Sequence, residues 1–139
     1  ESKSIFLSRA DNSGTHVKEK FLWKQLGYDP LEYSGKWYLE TGTGMGTTIN
    51  TAIGLGAYTL SDRATWISFG NKRDFTILSQ GNEYLYNPYT IIVINENKCP
   101  ETKQKESIIF ANWLISEKVQ ELISSYKIDG KQLFYPIYQ

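Results

Sequence analysis

IFLSRADNSGTHVKEKFLWKQL, residues 5–26, is the stretch from which the rest of the chain is read. Ile5, Phe6 and Leu7 make a short apolar run of the kind a buried strand uses, and the run stops at Ser8 and Arg9. Asp11, Asn12, Ser13 and Gly14 then supply turn and helix-start chemistry, while Val17, Phe21, Leu22 and Leu26 recur at helical spacing. A strand, a polar turn and a helix are thus packed into one unit, and Arg9 falls at the junction with the amides of Ser13, Gly14 and Thr15.

Such a junction suits an anion. The first amides of a helix have no intrahelical acceptor, and the helix dipole adds partial positive charge at that end. Arg9 supplies a full charge on a planar fork that can donate two parallel hydrogen bonds, each contributing on the order of 1.5–3 kcal/mol. Ser13 and Thr15 add hydroxyls, and Gly14 lets a ligand approach the backbone closely. The same spacing is equally satisfied by an ordinary N-cap with Arg9 paired to Asp11, so both readings stand at this point.

Composition narrows the function classes. The 139 residues suffice for one domain with a real core. Fifteen basic and fifteen acidic side chains cancel, which argues against a nucleic-acid binder that must neutralise phosphates. No apolar run approaches the roughly 20 residues of a membrane helix, and no signal peptide precedes Glu1, as expected of a mature or trimmed product. Cys99 is the single cysteine and lies in a polar loop, so it forms no intrachain disulfide.

Further along, Gly27 and then Tyr28-Asp29-Pro30 stop the first helix. Trp37, Tyr38 and Leu39 read as a second strand, followed by the glycine-rich ETGTGMGTT (40–48) opening into a helix over 49–55. This loop is neither a dinucleotide fingerprint, since its third glycine is misplaced, nor a Walker loop, since no lysine follows it. What it offers is a second set of free amides at Gly44, Met45, Gly46 and Thr47. Residues 57–60 read as a third strand, Ser61 or Asp62 as the cap of a helix over 63–69, and 75–78 as another strand. Residues 88–95, PYTIIVIN, are the most β-branched run and predict a central strand. Two helices follow, one from Gln104 through Ile115 and one carrying Val119, Leu122 and Ile123, with Asp129-Gly130 ending the helical region. Strands alternating with helices predict an α/β domain with a parallel or mixed sheet flanked by helices.

Four motifs carry a family likeness. SRADNSGTH (8–16), ETGTGMGTTIN (40–50), GAYTLSDRATW (56–66) and NPYTIIVIN (87–95), with the C-terminal run at 110–136, resemble the tungstate-binding proteins of ABC importers. The resemblance implies the type II periplasmic-binding fold, in which two α/β lobes close on an anion. It implies that residues 1–86 are the second, anion-binding lobe and that 87–139 cross a hinge and return to complete a first lobe. That first lobe would precede Ser4, so the chain is expected to be a fragment, a proteolysed product or a domain-swapped oligomer with the apolar surface around Trp113 uncovered.

By the same resemblance, Arg9 matches the anion-binding arginine, with Ser8, Ser13, Gly14 and Thr15 around it and Asp11 orienting it. Gly44, Met45, Gly46 and Thr47 rank second. His16, the lone histidine, has no clustered partners for a metal, and no cofactor is implied. The expected activity is capture of tungstate or molybdate and delivery to a membrane permease. The expected location is periplasmic or extracellular, with anchoring through a segment ahead of Glu1. A phosphate-binding protein of the same fold and a ligand-sensing regulatory domain are the rival readings. An enzyme is not expected, because no acid–base pair, nucleophile elbow or metal spacing is present.

Overall fold

β1 (Phe6–Ser8) is the middle strand of a three-stranded sheet, with β2 (Tyr38–Glu40) on one side and β3 (Tyr58–Thr59) on the other. Both pairings are parallel, with Phe6 opposite Tyr38, Leu7 opposite Leu39 and Leu7 also opposite Thr59. A parallel pair cannot be joined by a tight turn, so each connection carries a helix. α1 (Gly14–Gln25) joins β1 to β2, and α2 (Met45–Leu55) joins β2 to β3. The computed structural model describes residues 4–136.

Strand alternation sorts the side chains between the two helices. Phe6 meets Trp23 of α1 edge-on at 5.2 Å, and the Ser8 and Tyr38 hydroxyls reach Glu19 on the same helix. Leu7 points the other way, into a cluster with Ala52 of α2 and Ala57, flanked by Ile5 and Leu39. The two helices therefore cover opposite faces of the sheet. α2 also buries Met45, Ile49 and Ile53 against Trp66, Phe69 and Phe75, which brings in α3 (Arg63–Ser68). Full burial of a side chain such as Leu7 or Ile49 contributes about 1.5–3 kcal/mol. The consequence for function is placement: residues 9–13, 41–44 and 60–62 all leave the carboxyl ends of the strands, the edge where α/β sheets hold ligands.

The chain divides into two compact units, Glu1–Tyr86 and Asn87–Gln139. The second contains α4 (Gln104–Leu114), α5 (Glu117–Ser125) and a hairpin of β4 (Lys127–Ile128) and β5 (Lys131–Gln132).

Four expectations are corrected. Residues 75–78 and 88–95 form no strand: neither segment has a ladder partner among the described residues, and β-branched composition without a partner leaves the chain merely extended. Asp129-Gly130 is not a helix end but the two-residue turn of the β4–β5 hairpin, with φ of 49° and 73° at the two positions as a type I′ turn requires. The inward face of α1 is not the predicted apolar one. Val17, Phe21 and Leu26 are exposed while His16 and Glu19 are buried, because β1 and β2 present hydroxyls rather than methyls to this helix.

Candidate functional site

Where β1 ends, the chain makes a tight polar loop before α1. Ala10 and Asn12 both sit in the left-handed region, with φ of 50° and 57°, a conformation that costs a residue with a β-carbon about 1–2 kcal/mol. Side chains hold both in place. The Ala10 amide donates to Ser8 Oγ at 3.2 Å, the Asn12 amide to His16 Nδ1 at 3.0 Å, and the Ser13 amide to Asp11 Oδ1 at 3.1 Å. Ser13 is the N-cap of α1, its hydroxyl accepting from the His16 amide, and Lys20 Nζ donates to Asn12 Oδ1.

Beneath the loop lies a buried polar cluster. Glu19, 3% exposed, accepts from Ser8 Oγ at 2.8 Å, Tyr38 Oη at 2.7 Å and Trp23 Nε1 at 3.3 Å. Burial pushes the Tyr38 phenol up, and the hydrogen bond to Glu19 adds to the shift, so Tyr38 stays a neutral donor. Ser8 is completely buried and its hydroxyl is committed to Glu19 and the Ala10 amide, which sets it under the loop rather than on its surface.

Arg9 rises from the same loop. Its Nη2 donates to Asp11 Oδ2, and the two side chains are 17% and 20% exposed, so the arginine is more covered than a surface cap would leave it. Its Nε is buried and has no acceptor among the described residues. Asp11 is held down to about 2, first by the Ser13 hydroxyl and further by the Ser13 amide and Arg9, against an opposing desolvation. The amides of Gly14 and Thr15, at the first turn of α1, likewise have no acceptor among the described residues.

The second loop is tied to the first by threonines. The Thr41 amide donates to Ser8 O at 3.0 Å, and Thr41 Oγ1 lies 3.1 Å from Ser8 O, 3.2 Å from Arg9 O and 3.0 Å from Thr48 Oγ1. Thr48 is fully buried and bonds Gly44 O at 3.1 Å. Gly44 caps α2 without a side chain, so the Met45, Gly46 and Thr47 amides open that helix unpaired, while the Met45 side chain turns into the core. A groove of about 650 Å³ runs beside this loop, lined in part by Glu40, Thr41, Thr43 and Thr47; Arg9 does not line it. Asp62 serves as the cap of α3, accepting from the Thr65 amide at 2.8 Å, and Arg63 donates to Gln80 Oε1 at 2.6 Å.

The edge therefore brings together a guanidinium, two helix starts with unpaired amides, and hydroxyls, with no group of three His, Cys, Asp or Glu side chains that could hold a metal ion among the described residues. Sequence reading missed Glu19, Tyr38, Thr41 and Thr48. The first two are 19 positions apart and meet only through the parallel pairing of β1 with β2, while Thr48 was legible only as one of several threonines in the glycine-rich loop.

Residues 1–118 match the family model described as a PBP superfamily domain. The chain belongs to the PBP superfamily. Within that superfamily it is similar to the tungstate-binding protein TupA of Peptoclostridium acidaminophilum, 36% identical over 138 residues that cover 98% of this chain and 47% of that protein. The solved TupA of Desulfovibrio alaskensis G20 is 39% identical with a TM-score of 0.76, covering 99% of this chain and 56% of its own. The structure described as the tungstate ABC transporter from Geobacter sulfurreducens is 42% identical with a TM-score of 0.72, covering 88% and 51%. The α/β class expected from the sequence is that of these PBP relatives, and the likeness carried by four motifs extends over nearly the whole chain. The chain spans between 40% and 50% of the length of the curated relatives it matches.

Proposed function

We propose that this chain is part of the substrate-binding component of an ABC importer, which captures an oxyanion outside the cytoplasmic membrane and presents it to a permease. Tungstate is the favoured ligand and molybdate the next. The observation that carries this reading is Arg9: a largely covered guanidinium whose Nε lacks an acceptor, set beside the unpaired Gly14 and Thr15 amides. A buried donor without an acceptor is costly, and an oxyanion oxygen supplies what is missing once the guanidinium turns from Asp11 toward it. Similarity to proteins named for tungstate binding supports the choice of anion.

In this reading Arg9 and the amides of Gly14 and Thr15 hold the anion, the Ser13 and Thr15 hydroxyls add donors, and Asp11 orients Arg9 in the empty state. The Gly44, Met45, Gly46 and Thr47 stretch contributes amides from the second helix start. Ser8 supports the loop from below. Charge is dispersed over dipoles rather than cancelled by a cluster of lysines, and binding involves no bond-making chemistry. Residues 1–86 act as the anion-holding lobe and 87–139 as the segment returning to a first lobe. No helix among the described residues is long and apolar enough to cross a membrane.

Calorimetric titration of the full-length protein with tungstate, molybdate, sulfate and phosphate in one buffer tests the reading. Selective binding of tungstate or molybdate is expected, and Arg9→Ala should weaken it at least about a hundredfold, as the loss of two charge-assisted hydrogen bonds implies. Binding of phosphate alone would move the assignment to a phosphate binder of the same fold, and binding of none of the four would overturn it in favour of a sensor of another ligand.

A further inference from the structure

Two buried side chains of α1, His16 and Glu19, anchor the backbone of the Arg9 loop. Each left-handed residue of the loop has its amide taken by a group anchored on this helix: Asn12 by His16 Nδ1 directly, and Ala10 by Ser8 Oγ, whose own proton goes to Glu19 Oε2. Glu19 is in turn fixed by Tyr38 and Trp23, and no cation pairs with it among the described residues. A carboxyl side chain 3% exposed must find all its hydrogen bonds inside the fold, and Ser8, Tyr38 and Trp23 supply them. Three donors converging on one carboxylate fix its position closely, and the Ser8 hydroxyl passes that position on to the loop.

The geometry points to Glu19 as a positioning residue for oxyanion binding, acting through Ser8 on the backbone of Ala10 and thereby on the direction in which Arg9 leaves the loop. This rests on the oxyanion reading given above. A hydroxyl has one proton, so while Glu19 takes it the Ser8 lone pairs face Ala10. With Glu19→Gln, the side-chain amide can present N–H to Ser8, the Ser8 proton loses its acceptor, and Ser8 Oγ is no longer held where it receives the Ala10 amide. Ala10 then leaves the left-handed region, and Arg9 with it.

The experiment measures sodium tungstate and sodium molybdate affinity of the full-length protein by calorimetry for wild type, Glu19→Gln, Ser8→Ala, the double variant, and Glu19→Gln combined with Ala10→Gly. Thermal melting without ligand is followed alongside. Glu19→Gln and Ser8→Ala are each expected to bind about tenfold to a hundredfold more weakly, from the cost of holding a left-handed residue without its anchor. The double variant should be no weaker than the worse single one, since both act along one path. Ala10→Gly should restore affinity to Glu19→Gln, because glycine adopts the left-handed conformation without the anchor. Wild-type affinity in both single variants, additive losses in the double one, or no recovery of affinity on adding Ala10→Gly would overturn the proposal and leave Glu19 a packing residue. Should Glu19→Gln fail to fold, Ser8→Ala with and without Ala10→Gly decides by the same rescue. Failure of the oxyanion reading is distinct: wild type itself would bind neither salt.

Discussion

Arg9 and Asp11 form an ion pair inside the loop after β1, and in the oxyanion reading proposed above that pair competes with the ligand as well as supporting the loop. Asp11 is held at about 2 in the folded chain against an ordinary value of 3.8, chiefly by hydrogen bonds from Ser13. The folded state thus binds the proton less readily than the unfolded one. Its stabilising effect is complete above about pH 4 and is lost as the pH falls toward 2. Asp11→Asn should therefore lower the melting temperature at pH 7 and leave it equal to wild type near pH 2; a gap that persists unchanged at pH 2 would show that Asp11 does not act through its charge. At this scale the chain placed the strand end before Arg9 and the helix start at Ser13 and Gly14, because both are local signals. The sequence carried no sign that Ser8, offered as a ligand-binding candidate, lies buried with its hydroxyl on a glutamate 11 positions away.

α2 shows how an element records both local and tertiary demands. It ends at Gly56, whose φ of 63° lets the Gly56 and Ala57 amides turn back to the carbonyls of the last turn. A β-carbon at Gly56 would meet nothing within 4 Å, so the penalty of Gly56→Ala is conformational alone, about 1–2 kcal/mol. Gly54 lies inside the same helix with equally open space and no positive φ, and Gly54→Ala should stabilise by about 0.5–1 kcal/mol. Urea unfolding should give the two substitutions opposite signs, and like signs would mean that α2 does not end where it is drawn. All five helices were foreseen to within a few residues, because a 3.6-residue period, helix-start chemistry at Ser13 and Gly14 and a cap at Ser61 or Asp62 are signals internal to a short window. Strands at 75–78 and 88–95 were foreseen wrongly. A strand exists only where another strand offers its ladder, and composition cannot supply the partner.

The whole chain has no net charge and a pI near 6.9, and its second unit leaves Ile108, Ile109, Phe110 and Trp113 of α4 exposed, Ile109 by 69% and Trp113 by 53%. Apolar surface of this extent without like-charge repulsion favours association. A protein of these 139 residues should scatter light most strongly near pH 7, and Ile109→Glu should reduce the scattering; an unchanged signal would show that α4 is not the sticky surface. Short-range signals along the chain were enough for the α/β class and for the polar junctions after β1 and β2, with Arg9 the charge at the first of them. Each follows from alternation, periodicity and capping, which act between residues a few positions apart. Packing alone turns His16 and Glu19 of α1 inward, ties the two loops together through Thr41 and buries Ser8 beneath the first loop. Those outcomes depend on parallel pairing of β1 with β2, which brings Ser8, Glu19 and Tyr38 into hydrogen-bonding distance across 30 residues of chain.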